Sequence, residues 1–157
     1  MIHSKKKNGF NELFNILYKT STRAFENDEV PVSAIVFDPK IKKIISKSHN
    51  LNRKKHDPCA HAEVLAIQKA CKKLKKSRLD GYDIYCSLEP CLMCSAVIIN
   101  SKIRRLYFSV EDKKNGSFIN NQKLGYDKNI KKKPKVYYGF YEEKFSKILK
   151  KFFSKKR

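Results

Sequence analysis

Phe10, Leu13, Phe14, Leu17, Ser21 and Ala24 recur at the three-and-four spacing of a single helix face, so the chain is expected to begin with an amphipathic helix. The pattern then changes. Val32 to Phe37 and Lys42 to Ser46 read as two strands folded about Asp38-Pro39-Lys40, a hairpin with turn residues at its tip. A polar loop from Ser48 to Pro58 follows, and helical spacing returns from about Ala60 to Lys75. Tyr82 to Ser87 reads as a strand, Cys91 to Asn100 as a helix and Ile103 to Val110 as a strand. Asp112 to Pro134 is polar and lysine-rich with little periodicity. A short strand at Lys135 to Gly139 leads to a last helix striped by Tyr141, Phe145, Ile148, Leu149 and Phe152. Strands alternating with helices predict an α/β sandwich. At 157 residues, with neither repeat nor linker, a single domain over 1–157 is expected, with basic, flexible ends at 1–8 and 154–157.

Composition narrows the setting. Hydrophobic residues make up 41% of the chain, and no apolar run approaches the roughly 20 residues that span a bilayer. The lysine-rich start is not followed by the apolar segment of a secretory signal. Five cysteines in such a chain point to metal and free thiols, and to a cytoplasmic protein. The net charge of +21 suits a polyanionic partner. Lysine, asparagine, isoleucine, phenylalanine and tyrosine are also what an AT-rich coding sequence enriches, so charge alone does not decide between RNA and a solvated surface. On the last helix, Lys144, Lys147, Lys150, Lys151 and Lys155 fall mostly opposite the apolar stripe, where they are free to meet phosphates.

Two short segments carry chemistry. His61-Ala62-Glu63 and Pro90-Cys91-Leu92-Met93-Cys94 together offer an imidazole, two thiols and a carboxylate. That is a ligand set for Zn²⁺ with one metal position left open, plus a general acid/base, as hydrolytic zinc sites require. Residues two apart on a helix do not face each other, so His61 and Glu63 share a site only if it lies off the helix end. Cys91 and Cys94 are three apart in a first turn, where the helix dipole favours thiolate. Two other readings of these residues stay open: a redox dithiol, and a closed structural site with Cys59, Cys86 or His56 as fourth ligand. Cys71 and Cys86 otherwise read as small buried apolar residues.

H-x-E with P-C-x-x-C is the signature of the cytidine-deaminase-like superfamily. Glu29-Val30-Pro31-Val32, Asn50, His56-Asp57-Pro58, the two zinc segments, Ile98-Ile99-Asn100-Ser101-Lys102-Ile103 and Phe152-Phe153 follow in an order that resembles the bacterial tRNA-specific adenosine deaminases. The resemblance runs from about Phe10 to Arg157. It implies a three-layer α/β/α sandwich on a five-stranded mixed sheet. It also implies one Zn²⁺ per subunit on His61, Cys91 and Cys94, with Glu63 as the catalytic acid/base. By the same resemblance Asn50 contacts the target base and Asp112 the neighbouring nucleotide, and the partners are a tRNA anticodon stem-loop and a second copy of the chain. The implied reaction is hydrolytic conversion of the wobble adenosine to inosine. The chain departs from the family at Ser33 for glycine, at Cys59 for threonine, over Ser109 to Lys114, and at Lys131-Lys132-Lys133, where an Asn-His pair is usual. A small-molecule guanine or cytosine deaminase shares the zinc motif, and a non-enzymatic RNA-binding zinc protein is the other alternative; Glu63 argues against the latter.

Overall fold

The computed structural model describes residues 2–156, with side chains from residue 9 onward. The expectation for the basic segment 1–8 therefore concerns side chains outside the described residues, as does that for Arg157. Helix α1 (Ile2–Glu26) buries Leu13, Phe14, Leu17 and Ala24, the face that the spacing predicts. Strands β1 (Ser33–Asp38) and β2 (Lys43–His49) form the hairpin, its turn held by Asp38 Oδ1, which accepts the Lys40 N–H at 2.9 Å. β2 runs three residues beyond its expected end. There Ser46 and Ser48 take the inward positions that apolar residues usually mark, and the Ser46 hydroxyl donates to the Ala66 carbonyl at 2.6 Å. A one-turn helix α2 (Asn52–Lys55) lies inside what the sequence suggests is loop.

Helix α3 (Ala62–Leu74), strand β3 (Asp83–Leu88), helix α4 (Leu92–Asn100), strand β4 (Arg105–Val110), strand β5 (Lys135–Tyr138) and helix α5 (Glu142–Ser154) complete the chain. The five strands make one mixed sheet in the order β2-β1-β3-β4-β5, with β1 antiparallel to both neighbours and β3, β4 and β5 parallel. Alternation along each strand splits the core into two layers. Ala34, Val36, Ile84, Cys86, Leu106 and Phe108 pack with Ala62, Ala66, Ala70 and Ile98 of α3 and α4. Ile35 and Tyr85 pack on the other side with Leu13, Phe14 and Leu17 of α1 and Phe145 of α5. The expected α/β/α sandwich is the observed architecture. No described helix is long and apolar enough to cross a membrane.

Ser33 shows how one departure is absorbed locally. Its hydroxyl donates to the Leu17 carbonyl at 2.7 Å and accepts from Ser21 at 2.7 Å, tying α1 to β1 with buried bonds a glycine could not make. On α5 the buried stripe is Phe145, Ile148, Leu149 and Phe152. Tyr141 is not part of it: it precedes the helix at φ 55° and is 41% exposed, so its side chain lies off the helical face. At the chain end Lys156 pairs with Asp28, and Lys151 and Lys155 lie over the Phe25 ring.

Parallel β3 and β4 deliver their carboxyl ends to one edge of the sheet, and antiparallel pairing puts the start of β1 and the end of β2 there too. Cys91 follows β3, Asp112 follows β4 and Asn50 follows β2, so the topology gathers all three regions at that edge.

Candidate metal centre

His61 and Cys91 are the residues just ahead of α3 and α4, each in extended conformation (φ −76°, ψ 151° and φ −69°, ψ 173°). Both helices thus direct their positive ends at one point. His61 Nδ1 stands 3.6 Å from Cys91 Sγ and 3.5 Å from Cys94 Sγ, and the three ligand atoms lie within 4.8 Å of one another. With Zn–S near 2.3 Å and Zn–N near 2.0 Å, a tetrahedral ion separates its sulfur and nitrogen ligands by about 3.5 Å. The trio therefore fits that ion. Among the described residues no fourth His, Cys or acidic ligand atom joins it. Cys59 is exposed and Cys86 is packed in the core, which counts against a closed structural site.

Glu63, in the first turn of α3, is buried and brings Oε2 within 3.4 Å of Cys94 Sγ. The carboxylate and the imidazole meet off the helix end, as their spacing demands. The Cys91 thiol is pulled down to about 4, chiefly because Cys94 donates a hydrogen bond to it, and His61 adds a second. Cys94 moves strongly upward for the complementary reason, holding the proton it gives Cys91, with burial adding to it. The Cys91 contact raises His61, and burial raises Glu63. A divalent cation bound to the trio must displace protons from this cluster.

Asn50 is buried beside the trio, and its Oδ1 accepts the Ala62 N–H at 2.8 Å. That bond satisfies a free donor of the first turn of α3, between His61 and Glu63. Among the described residues the Asn50 Nδ2 group has no hydrogen-bond partner. Asp112 sits at the start of the 111–134 loop, where Oδ1 accepts the Lys114 and Asn115 N–H groups at 3.0 Å each. Its carboxylate is thus engaged in a turn. A cavity of about 330 Å³ opens beside Cys91, lined also by Leu92, Met93, Lys114, Asn115, Asn121 and Gln122. A larger one of about 700 Å³ lies at the opposite edge of the sheet, among Phe10, Phe37, Tyr85 and Arg105, away from the trio.

Three buried carboxylates had no role assigned from sequence, and one of them, Asp83, is paired with Arg104 at 2.8 Å. Glu29 accepts the Arg53 and Lys54 N–H groups at 3.3 and 2.8 Å and so holds α2 against the end of α1. Glu89, just before Pro90, accepts four hydrogen bonds from the loop after β4. The one hint in the sequence is an acid placed between a strand and the dithiol turn, and nothing in it names the partners.

Residues 8–157 match the model of the MafB19-like deaminase family. A tRNA-specific adenosine deaminase of Rickettsia bellii is 39% identical over 139 residues, 88% of this chain and 96% of that protein. A solved structure from work on A-to-I editing by tRNA:A34 deaminases at the wobble position is 34% identical, with a TM-score of 0.84 over 88% of this chain and 99% of its own. The guanine deaminase of Nitrosomonas europaea shares the fold at 21% identity, with a TM-score of 0.74 over 89% of this chain and 82% of its own.

Proposed function

The chain belongs to the MafB19-like deaminases and, within them, to the tRNA-specific adenosine deaminases, and we propose that it converts the wobble adenosine of a tRNA anticodon loop to inosine. Water adds at C6 of the adenine, the 6-amino group leaves as ammonia, and the oxygen stays as the inosine carbonyl. The observation that carries the proposal is the open trio of His61, Cys91 and Cys94 with a buried carboxylate against it. These three residues would hold Zn²⁺, which when bound supplies Lewis-acid activation of water.

The rest falls to the chain. Glu63 takes the proton of the attacking water and delivers it to ring N1, then takes the remaining proton of the added hydroxyl and passes it to the departing amine. Burial, which raises its pKa, suits a carboxyl that must both accept and return a proton. Asn50 holds Ala62 with its oxygen and offers Nδ2 to the base. The family resemblance gives Asp112 a contact with the nucleotide beside the target. Its turn contacts favour a role through the loop backbone over direct pairing.

The target base must leave the stack, which a single-stranded anticodon loop makes easy. Arg53, Lys151 and Lys155 gather around Phe25 and Phe152 and offer cations to the RNA backbone. The family resemblance further supports one domain, a homodimer and work in the cytoplasm. Incubating Zn²⁺-loaded protein with tRNA, free bases and nucleosides while following ammonia release tests the proposal. Release from tRNA alone is expected, whereas release from guanine or cytosine would reassign the substrate class.

A further inference from the structure

The wall of the cavity beside Cys91 is not regular structure. Residues 112–122 form neither helix nor strand, and side-chain-to-backbone bonds together with a few backbone contacts, among them the Gly116 N–H donating to the Asp112 carbonyl at 2.8 Å, give them a shape. Asn121 Nδ2 donates to the Lys114 and Gly116 carbonyls at 3.1 and 2.9 Å, and Phe118 is fully buried in the core. The loop is laid on the dithiol turn by the Ser117 N–H, which donates to the Pro90 carbonyl at 3.0 Å, and by pairing of Gly116 with Cys91.

Beneath it sits Glu89, with 2% of its surface exposed. Its Oε1 accepts the Ile119 and Asn120 N–H groups at 2.8 and 3.1 Å, and its Oε2 accepts the Asp112 N–H at 3.1 Å and Asn120 Nδ2 at 2.6 Å. No described cation forms an ion pair with it. A buried carboxylate is costly unless donors satisfy it, and here all four come from the loop. The fit is close on the other side as well. A Cβ on Gly116 would lie 2.2 Å from Glu89 Cδ and Oε2 and 2.5 Å from the Asp112 carbonyl oxygen. Glycine at 116 is what allows the loop to close over the carboxylate.

We propose that Glu89 is a positioning residue for the substrate: it fixes the 112–122 loop, and with it the Lys114, Asn115, Asn121 and Gln122 wall that meets the RNA beside the target base. The substrate in this proposal is that of the deaminase reading above, on which it rests. Only a carboxylate serves, because all four contacts are donors. An amide in its place turns a donor toward two of them.

Two variants approach the same contact from opposite sides. Glu89→Gln reverses one half of the acceptor pair, and Gly116→Ala pushes the loop off it. In each, KM for an anticodon stem-loop should rise on the order of tenfold or more, as expected for a displaced binding wall. Single-turnover rate at saturating RNA should stay within about threefold, because Glu63 and the trio are untouched. Zinc content should be unchanged. Amide exchange at Ile119 and Asn120 should quicken by about tenfold or more, and the double variant should be no worse than the worse single one, since both break one contact. Unchanged KM and exchange in Glu89→Gln would overturn the proposal, as would loss of zinc and turnover together, which would place Glu89 with the metal centre. Were the wild-type protein inactive on RNA, the deaminase reading would fall, while the exchange rates would still decide whether Glu89 holds the loop.

Discussion

Replacing Asn50 in two ways separates its two hydrogen-bonding ends. Its oxygen accepts the Ala62 N–H at 2.8 Å in a buried setting, and its Nδ2 group has no partner among the described residues. Asn50→Ala removes the acceptor and leaves a first-turn donor of α3 unsatisfied. Loss of a bond of that kind costs about 1–2 kcal/mol. For a chain of this size each kcal/mol moves Tm by about 2–4 °C, so Asn50→Ala should melt roughly 2–8 °C below wild type. Asn50→Asp keeps an oxygen for Ala62 and adds negative charge at a helix N-terminus, which is favourable. Its Tm should stay within about 2 °C of wild type. Activity should not follow stability. Both variants lack the amide donor, so both should lose kcat/KM for tRNA by about tenfold or more, the worth of one pocket hydrogen bond. Calorimetry on zinc-loaded protein, with steady-state kinetics on the same preparations, reads both quantities. An Asn50→Asp enzyme with wild-type kcat/KM would refute the donor role. Equal destabilisation of the two variants would refute the hold on Ala62.

Cys91→Ala or Cys94→Ala should lose zinc and activity together, as measured by elemental analysis, because three ligands leave no redundancy. Glu63→Gln should retain zinc and fold yet lose turnover by on the order of 10²-fold or more in single-turnover assays, since an amide cannot carry the proton. Changing Lys150, Lys151, Lys155 and Lys156 together to Gln should raise KM for tRNA and flatten the slope of log affinity against log salt by about 2–3. One of the four, Lys156, is already held by Asp28 and adds little to that slope; with the apolar stripe of α5 untouched, Tm should fall only by what that exposed ion pair and the Lys151 and Lys155 contacts with Phe25 contribute. An unchanged salt slope would assign these lysines to solubility.

The sequence made His61, Glu63, Cys91 and Cys94 legible because their chemistry is local. Each sits at or next to a helix start, and spacing alone says which side chains can meet. The buried faces of α1 and α5 were equally plain, since packing follows period. Tyr141 was misjudged because the periodicity continues one residue past the point where the backbone leaves the helix. The end of β2 was misjudged because Ser46 and Ser48 occupy core-facing positions, where polarity masks alternation. Glu29 and Glu89 were invisible for a different reason. Their partners are backbone N–H groups of Arg53, Lys54, Asp112, Ile119 and Asn120, and these carry no residue signature until the chain closes. The loop after β4 has no period for the same reason. Its order comes from side chains bonding to backbone and from scattered backbone contacts such as Ser117 to Pro90.

Central to the account is that this open trio and its carboxylate deaminate one adenosine in tRNA. Zinc-loaded wild type and Glu63→Gln protein, each incubated with tRNA bearing adenosine at the wobble position, should be compared by sequencing for inosine. Inosine confined to the wobble position with the wild type, and none with Glu63→Gln, is the predicted result; no inosine with the wild type, or equal inosine with both, would contradict it.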